Sequence, residues 1–344
     1  MPGVAAETSA RPGEDALLVA AAGGSEQAFR LLTEPHRRAL HLHCYRMLAS
    51  MHDADDALQE TLLRAWQSLD RYQPRSPLAA WLHTIATNVC LTALARRERR
   101  RELPAADVGE AVWGERLNHL QPYPDRLLDE LEPASPDPEA RYVLRETVEL
   151  AFVTAVQLLP PKQRAVLILR DVLGWSAKET AEALGDSVAA VNSALQRARA
   201  TLDRVQSLGA ATHAPAGDEQ DRALLERFMK AWDAVDIDGI VRLLTHDALM
   251  TMPPVPTYVL GARAIGEFFA TVPVEGRLDE IRLVPAAANC QPALAAYVRD
   301  PVDGVHRAYG VMVLAFDGEA ISGIVGFAET SLFELFGLPL ELEA

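Results

Sequence analysis

The segment LLPPKQRAVLILRDVLGWSAKETAEALGDSVAAVNSALQRARATL, Leu158 to Leu202, decides how the chain is read. Proline lacks only an amide that a helix start leaves unpaired, so Pro160-Pro161 opens a helix. Its apolar face is Val166, Leu167, Leu169, Val172 and Leu173, and Gly174 closes it. Ser176 with Glu179 three residues on is a capping box, and Ala177 to Leu184 makes a short amphipathic helix that Gly185 ends. Ser187 caps a third helix, in which Val188, Val191, Leu195, Ala198 and Leu202 share one buried face. The opposite face carries Asn192, Ser193, Gln196, Arg197 and Arg199. Guanidinium groups reach phosphates and guanine edges, and amides pair with adenine, so this face has the chemistry of groove readout. The spacing reads as a helix-turn-helix; the alternative is a three-helix bundle with a solvated polar face.

At 344 residues the chain fits two or three domains, and its formal net charge is −15. Residues 218–344 hold 20 acidic and 9 basic side chains, so −11 of that charge lies there and −4 in residues 1–217. The C-terminal part is therefore unsuited to a phosphate backbone, while local basic runs in the first part remain free to bind one. Cys44, Cys90 and Cys290 show neither metal-ligand nor redox spacing, so no disulfide framework or metal site is expected. Ala16 to Ala22 is apolar but short, and Glu14 and Asp15 stand where a signal peptide would be positive. No run reaches the roughly 18 apolar residues of a membrane helix, so a cytoplasmic chain without membrane contact is expected.

Residues 1–13 are expected to be disordered, with helices from Glu14 onward. Ala28 to Leu48 has a helical pattern with Phe29, Leu32, Leu40, Tyr45 and Leu48 inward. The HLHC run, His41 to Cys44, would spread its ligands around one helix, which favours packing over a metal. Another helix starts at Asp53, with Leu58, Leu62, Ala65, Trp66 and Leu69 as its inner stripe. Its acidic opening, Asp53, Asp55, Asp56 and Glu60, suits the positive end of a helix dipole and also offers a surface to a protein partner. After a QPRSP loop, a helix from Leu78 turns Trp81, Ile85, Val89, Leu91 and Leu94 inward. It ends on Arg96, Arg97, Arg99, Arg100 and Arg101, more cations than dipole compensation requires, which favours phosphate contacts.

The DADDALQETLLRAW helix, the WLHTIATNVCLTALARRERRR helix and the Leu159–Arg199 segment together resemble regions 2 and 4 of an extracytoplasmic-function sigma factor, in two blocks in the right order. The resemblance implies that the chain binds core RNA polymerase and promoter DNA. It makes Asp53, Asp56, Gln59 and Glu60 polymerase contacts. It places Arg75, Ser76, Trp81, Asn88, Arg96, Arg97 and Arg100 at the minus-10 element, where a base must leave the stack beside a cationic groove. Trp81 is read first as core and second as a prop for the opened duplex. Asn192, Ser193, Gln196, Arg197 and Arg199 would face the minus-35 element. Basic residues are commoner in the family where Asn192 and Ala194 stand, which implies weaker, less salt-sensitive binding there. Leu103 to about Arg141 is proline-rich and reads as a linker, which in sigma factors threads toward the polymerase cleft. Within it, Leu120–Glu130 resembles the inter-region linker of sigma factors that carry an extra C-terminal domain, and Glu132–Glu139 reads as a solvated tether.

Beyond the small-residue spacer Gln206–Gly217, the pattern changes. Leu224, Leu225, Phe228 and Trp232 mark a helix, Ile237–Leu244 a second, and Gly261–Ala270 a third with Ile265, Phe268 and Phe269 inside. Strands are expected at Ala248–Met252, Ile281–Ala288, Ala293–Arg299, Val305–Phe316 and Ile321–Phe327, with Asp317-Gly318 as a hairpin turn. HDALMTMPP followed by YVLGARAIGEFF resembles SnoaL-like polyketide cyclase and ketosteroid-isomerase-like cones. Asp247, Tyr258, His306 and Tyr309 are the acid-base candidates, but they form no self-evident dyad; Asp247 is read as capping a turn and His306 as lying on a strand face.

The expected fold is multidomain: two all-α sigma domains, a region 2 helical bundle at 14–102 and a region 4 helix-turn-helix at 144–206, plus an α+β SnoaL-like cone at 220–336. Linkers at 103–143 and 207–219 join them, and 337–344 is a tail. The expected function is that of an alternative sigma factor regulated in cis by its C-terminal domain docking on the sigma regions, with room for an unknown small ligand in the cone. No catalytic residue, cofactor or metal is expected. The competing readings are a cyclase or isomerase carrying a DNA-binding fusion, and a helix-turn-helix repressor.

Overall fold

The computed structural model describes residues 13–73, 76–100, 119–129, 144–207 and 218–342. The expectations for residues 1–12, for Glu132–Glu139 and for the spacer 208–217 lie outside the described residues. The chain divides into two compact units, one of residues 1–103 with Pro160–Ala198, the other of Pro104–Leu159 with the chain from Arg199 onward.

The first unit opens with helices α1 (Glu14–Ala22), α2 (Glu26–Thr33), α3 (Arg37–Leu48), α4 (Met51–Ser68) and α5 (Leu78–Arg100). The single helix expected over 28–48 is two, because Pro35 cannot donate into a helical ladder and a tight turn at Glu34–His36 intervenes. α4 begins two residues before Asp53, where the Ser50 hydroxyl accepts from the Asp53 amide at 3.2 Å. Leu40, Tyr45, Leu48, Ala54, Ala65, Leu82, Ala86 and Cys90 are buried in the bundle. Trp81, Ile85 and Leu91, expected inward, are only half-buried. Trp81 packs on Tyr72 with ring centroids 5.0 Å apart, against the small cluster of Ala21, Ala28 and Leu69. From Leu78 to Glu98, α5 is long and apolar enough to cross a membrane by composition, contrary to the expectation of no such run. Here Leu82, Ala86, Val89, Cys90 and Leu94 bury one stripe of it in the bundle.

Helix α6 (Leu150–Gln157) belongs to the second unit, while α7 (Pro161–Leu167), widened into a π turn at Ile168–Val172, and α8 (Ala177–Leu184) belong to the first. Helix α9 (Val188–Ser207) follows. The capping box forms in both directions, Ser176 with Glu179, and Gly185 ends α8 at φ +64°, a conformation that costs glycine nothing. The Ser187 hydroxyl accepts from the Ala190 amide at 3.1 Å and starts α9. Val191, Leu195 and Ala198 are buried as expected. Val188, at the first position of the helix, is instead 44% exposed, and Ala194 joins the buried stripe. Arg164 of α7 is buried and donates to the Met47 carbonyl of α3 at 2.5 Å, so the helix-turn-helix and the region 2 bundle pack as one body.

The larger part of the second unit is the α+β cone. Its elements are α10 (Asp218–Asp233), α11 (Ile237–Leu243), β1 (Leu244–Met252), β2 (Val255–Leu260), α12 (Ala262–Thr271), β3 (Ile281–Ala288), β4 (Gln291–Arg299), β5 (His306–Asp317), β6 (Ala320–Phe327), α13 (Leu332–Phe336) and β7 (Glu341–Leu342). The sheet order is β2-β1-β6-β5-β4-β3, with β1 and β6 parallel and the other neighbours antiparallel. Phe228 and Trp232 of α10 and Phe269 of α12 close the core against Leu283, Leu294, Leu314 and Ile324 of the sheet.

Four expectations change. β1 starts at Leu244 rather than Ala248, so Asp247 stands in a strand and does not cap a turn. β2 was not expected, because Pro253-Pro254 reads as an end and instead turns β1 back on itself. The β5–β6 turn is Gly318-Glu319, one residue later than expected, with Asp317 paired to Ala320 and Gly318 at φ +59°. The tail contributes β7, which pairs with the start of β5.

Candidate nucleic-acid interface

On α9 the burial of Val191, Ala194, Leu195 and Ala198 fixes the helix roll, so Asn192, Ser193, Gln196, Arg197 and Arg199 are all exposed. An Arg197 guanidinium nitrogen donates to the Ser193 hydroxyl at 2.6 Å, which holds the cation one turn from the amides. This face joins two amides, a hydroxyl and two guanidinium groups on one helix.

The acids of α4 divide by partner. Asp53 accepts from Arg97 of α5, so a residue expected to meet polymerase and one expected to meet DNA satisfy each other. Asp55 faces His41 at 3.3 Å, and that imidazole holds its carboxyl below the usual range. Glu60 accepts from Arg64 at 2.6 Å. Asp56 and Gln59 are exposed. Leu63, 50% exposed, continues the same helical face and was missed in the sequence. Its signal was an apolar residue at the i+7 step of the Asp56, Gln59, Glu60 stripe.

Asn88 is exposed on α5, where its amide donates to the Thr84 carbonyl at 2.9 Å and to the Ala183 carbonyl of α8 at 3.4 Å. Arg96 is exposed and Arg97 half-buried. Ser76 is exposed, its carbonyl accepting from the Tyr72 hydroxyl at 2.8 Å. Arg75 and the side chain of Arg100 lie outside the described residues.

The HLHC residues go to separate partners. His43 is fully buried with Nε2 at 2.9 Å from the Thr87 hydroxyl, and burial, with His83 and Arg46 nearby, holds its imidazole well below the usual range. Cys44 and Cys90, remote in sequence, are neighbours in this core; the Cys44 thiol and burial push the Cys90 thiol well up. Among the described residues no cluster suits a metal ion.

The structure also reveals a site that the sequence reading passed over. Asn289 and Cys290, both near φ +57°, form the two-residue turn between β3 and β4, a conformation asparagine tolerates. The Asn289 carbonyl oxygen accepts from the Tyr123 amide at 2.8 Å while its amide donates to the Val148 carbonyl at 2.7 Å. Gln291 accepts from the Leu150 amide at 2.9 Å, satisfying an amide that the start of α6 leaves open. Asp125 accepts from the Cys290 amide at 2.8 Å, and Gln121 donates to both carboxylate oxygens of Glu329, at 2.9 and 3.0 Å. Leu120, Tyr123 and Leu128 are buried. The described part of the expected linker is thus docked on the cone rather than free.

Of the four acid-base candidates, only Tyr309 lines the recess inside the cone. Asp247 lies at the surface beside His246, and the neighbouring Thr245 holds its carboxyl below the usual range. Tyr258 is exposed on β2, and His306 starts β5 beside Arg299 and Leu342.

Known proteins match this arrangement. Residues 32–100 match the family model of Sigma-70 region 2, and residues 149–202 that of Sigma-70, region 4. The ECF RNA polymerase sigma factor SigG of Mycobacterium tuberculosis is 44% identical over 318 residues, covering 90% of this chain and 84% of the relative. SigM of the same organism is 31% identical over 189 residues, 55% of this chain and 82% of that one. The crystal structure of the M. tuberculosis extracytoplasmic function sigma factor SigJ superposes with a TM-score of 0.59 at 24% identity, covering 89% of this chain and 98% of its own, which establishes the shared fold. With one relative matched through the bundle, the helix-turn-helix and the cone alike, the chain belongs to the ECF sigma factors of RNA polymerase: it is a transcription initiation factor and not an enzyme.

Proposed function

We propose that this sigma factor grips core polymerase with the Asp56, Gln59, Glu60 and Leu63 face of α4 and reads promoter DNA with two modules that its cone restrains in cis. Asp53 is a positioning residue for Arg97 and reaches polymerase only when that pair opens. Ser76, Asn88, Arg96 and Arg97 meet the minus-10 element together with Arg75 and Arg100, and Trp81 props the duplex from its half-buried seat. Asn192, Ser193, Gln196, Arg197 and Arg199 meet the minus-35 element. The functional modules are 14–102, 144–206 and 220–336, and β7 attaches the tail to the last. The protein acts in the cytoplasm, and a small ligand in the cone is the input to the restraint.

The observation that carries the restraint is the Asn289 clasp on Tyr123 and Val148. In the free chain the helix-turn-helix packs on region 2 through Arg164 and Asn88, so reading both elements requires the modules to separate. Elements centred about 25 base pairs apart are roughly 85 Å apart along B-DNA. Fully extended, the chain from Arg100 to Pro160 reaches about 190 Å, but with Tyr123 and Val148 held together only about 100 Å. Clasped, the tether suffices only at full stretch, and the cone therefore holds initiation back.

The test of the polymerase face is transcription in vitro. Purified chain yields promoter-specific transcripts only with core polymerase, and Asp56→Lys weakens that pairing by about tenfold or more, the equivalent of about 1.4 kcal/mol. Unchanged affinity in a normally folded Asp56→Lys chain would remove the assignment.

A further inference from the structure

We infer that the cone is a receptor for an uncharged, flat, predominantly hydrocarbon small molecule. The inference rests on the reading of the cone as a regulator in cis and gives that reading its ligand class.

A recess with an open mouth lies within the cone, between the helices α10 and α12 and the sheet. α10 and α12 contribute the rings of Trp232, Phe268 and Phe269, and β1 and β5 contribute the thioethers of Met250, Met252 and Met312. Aromatic faces favour a flat partner, and unbranched thioethers adapt to its outline. The Trp232 indole N–H is spent on the Ile281 carbonyl at 3.2 Å, which leaves the Tyr309 hydroxyl as the one polar side-chain group of the lining. Among the described residues, no acid, lysine, arginine or histidine is in that lining. A charged ligand would leave its charge unpaired against hydrocarbon, at a cost that an uncharged one escapes. Glycine at 326 matters to the shape, since a Cβ there would come within 3.3 Å of Met252 and displace it.

The recess also adjoins the linker. Phe327 and Ala328 belong to its lining, and the next residue, Glu329, receives both hydrogen bonds from Gln121. An occupant that moves Ala328 acts one residue from the point where the linker is tied down, which is the differential contact that coupling requires.

The experiment titrates the full-length chain with N-phenyl-1-naphthylamine, a neutral dye that brightens in apolar surroundings, and with 1-anilinonaphthalene-8-sulfonate, the same skeleton carrying a charge. The neutral dye is expected to saturate at one site per chain, and the sulfonate to bind about tenfold more weakly or worse. Ala328→Trp, placed at an exposed position of the lining, is expected to abolish the neutral dye's signal with circular dichroism and melting temperature unchanged. Met252→Trp fills the recess from β1 and carries the same expectation should Ala328→Trp disturb the melt. No saturable signal, equal or tighter binding of the sulfonate, or full binding in a folded plugged variant would overturn the inference. Failure of the cis reading is separate: it would appear as unchanged transcription by an Asn289→Gly chain, whatever the dyes do.

Discussion

Arg97 on α5 donates to the carboxylate of Asp53 on the first turn of α4, tying together the two helices proposed to carry the polymerase and minus-10 faces. The pair is partly shielded from water, so removing one member costs more than at an open surface. Asp53→Ala is expected to lower the unfolding free energy by about 1 kcal/mol, read by denaturant titration, and to weaken polymerase binding less than Asp56→Lys does. The reverse order of effects on affinity would make Asp53 a direct contact.

The roles proposed for the α9 face separate sequence reading from electrostatic attraction. Gln196→Ala is expected to cost about 1–3 kcal/mol of binding at the cognate minus-35 element and almost nothing on random duplex, read by competition binding of holoenzyme. Arg199→Gln is expected to weaken both equally and to reduce the salt slope by about one. Loss of Gln196 that lowered random and cognate binding alike would deny it a base contact.

Acid should act on the two units in opposite senses. His43 is held neutral by burial, so below its ordinary value of 6.5 the unfolded chain takes up a proton that the folded bundle refuses, and the first unit loses stability as pH falls. Glu149 is pushed up to about 7 by burial, with Glu146 adding to it. Between its ordinary value of 4.5 and about 7 the folded state holds the extra proton, so this contribution to the second unit is full below pH 4.5 and lost as pH rises through 7. Glu149→Gln is therefore expected to raise the second unit's stability at pH 8 by something on the order of 1 kcal/mol, discounted for partial exposure, and to change nothing at pH 4. Calorimetric melts at the two pH values read this directly, and a gain at pH 4 would contradict it.

The helix-turn-helix was legible because its signals are local: Ser176 with Glu179, Gly174, Gly185 and Ser187 each act within a few residues of their own position. The exposed face of α9 followed from the same periodicity. What could not be read were pairings made across long stretches of chain. Arg97 finds Asp53, Cys44 meets Cys90, and Asn289 meets Tyr123 and Val148, in each case through the packing of separate elements. Proline misled in two directions, since Pro35 split a helix that periodicity joined and Pro253-Pro254 turned a strand that it was expected to end. Leu103 to about Arg141 reads as a linker because it is rich in proline, and that composition does not show where it docks. Leu120, Tyr123 and Leu128 were the buried anchors within it.

Removing the chain after Gly217 would strip the cover from Tyr123 and Val148 as well as deleting the cone, so a point change tests the restraint more cleanly. Asn289→Gly keeps the left-handed turn and deletes both side-chain hydrogen bonds to the linker. Leaving the Tyr123 amide and the Val148 carbonyl without that partner should weaken the clasp by about 2–4 kcal/mol. The decisive measurement is run-off transcription by core polymerase with the full-length chain and with its Asn289→Gly form at equal concentration. Output several-fold above the unaltered chain is predicted. Equal or lower output from a normally folded Asn289→Gly protein would contradict the claim that the cone restrains initiation through the linker.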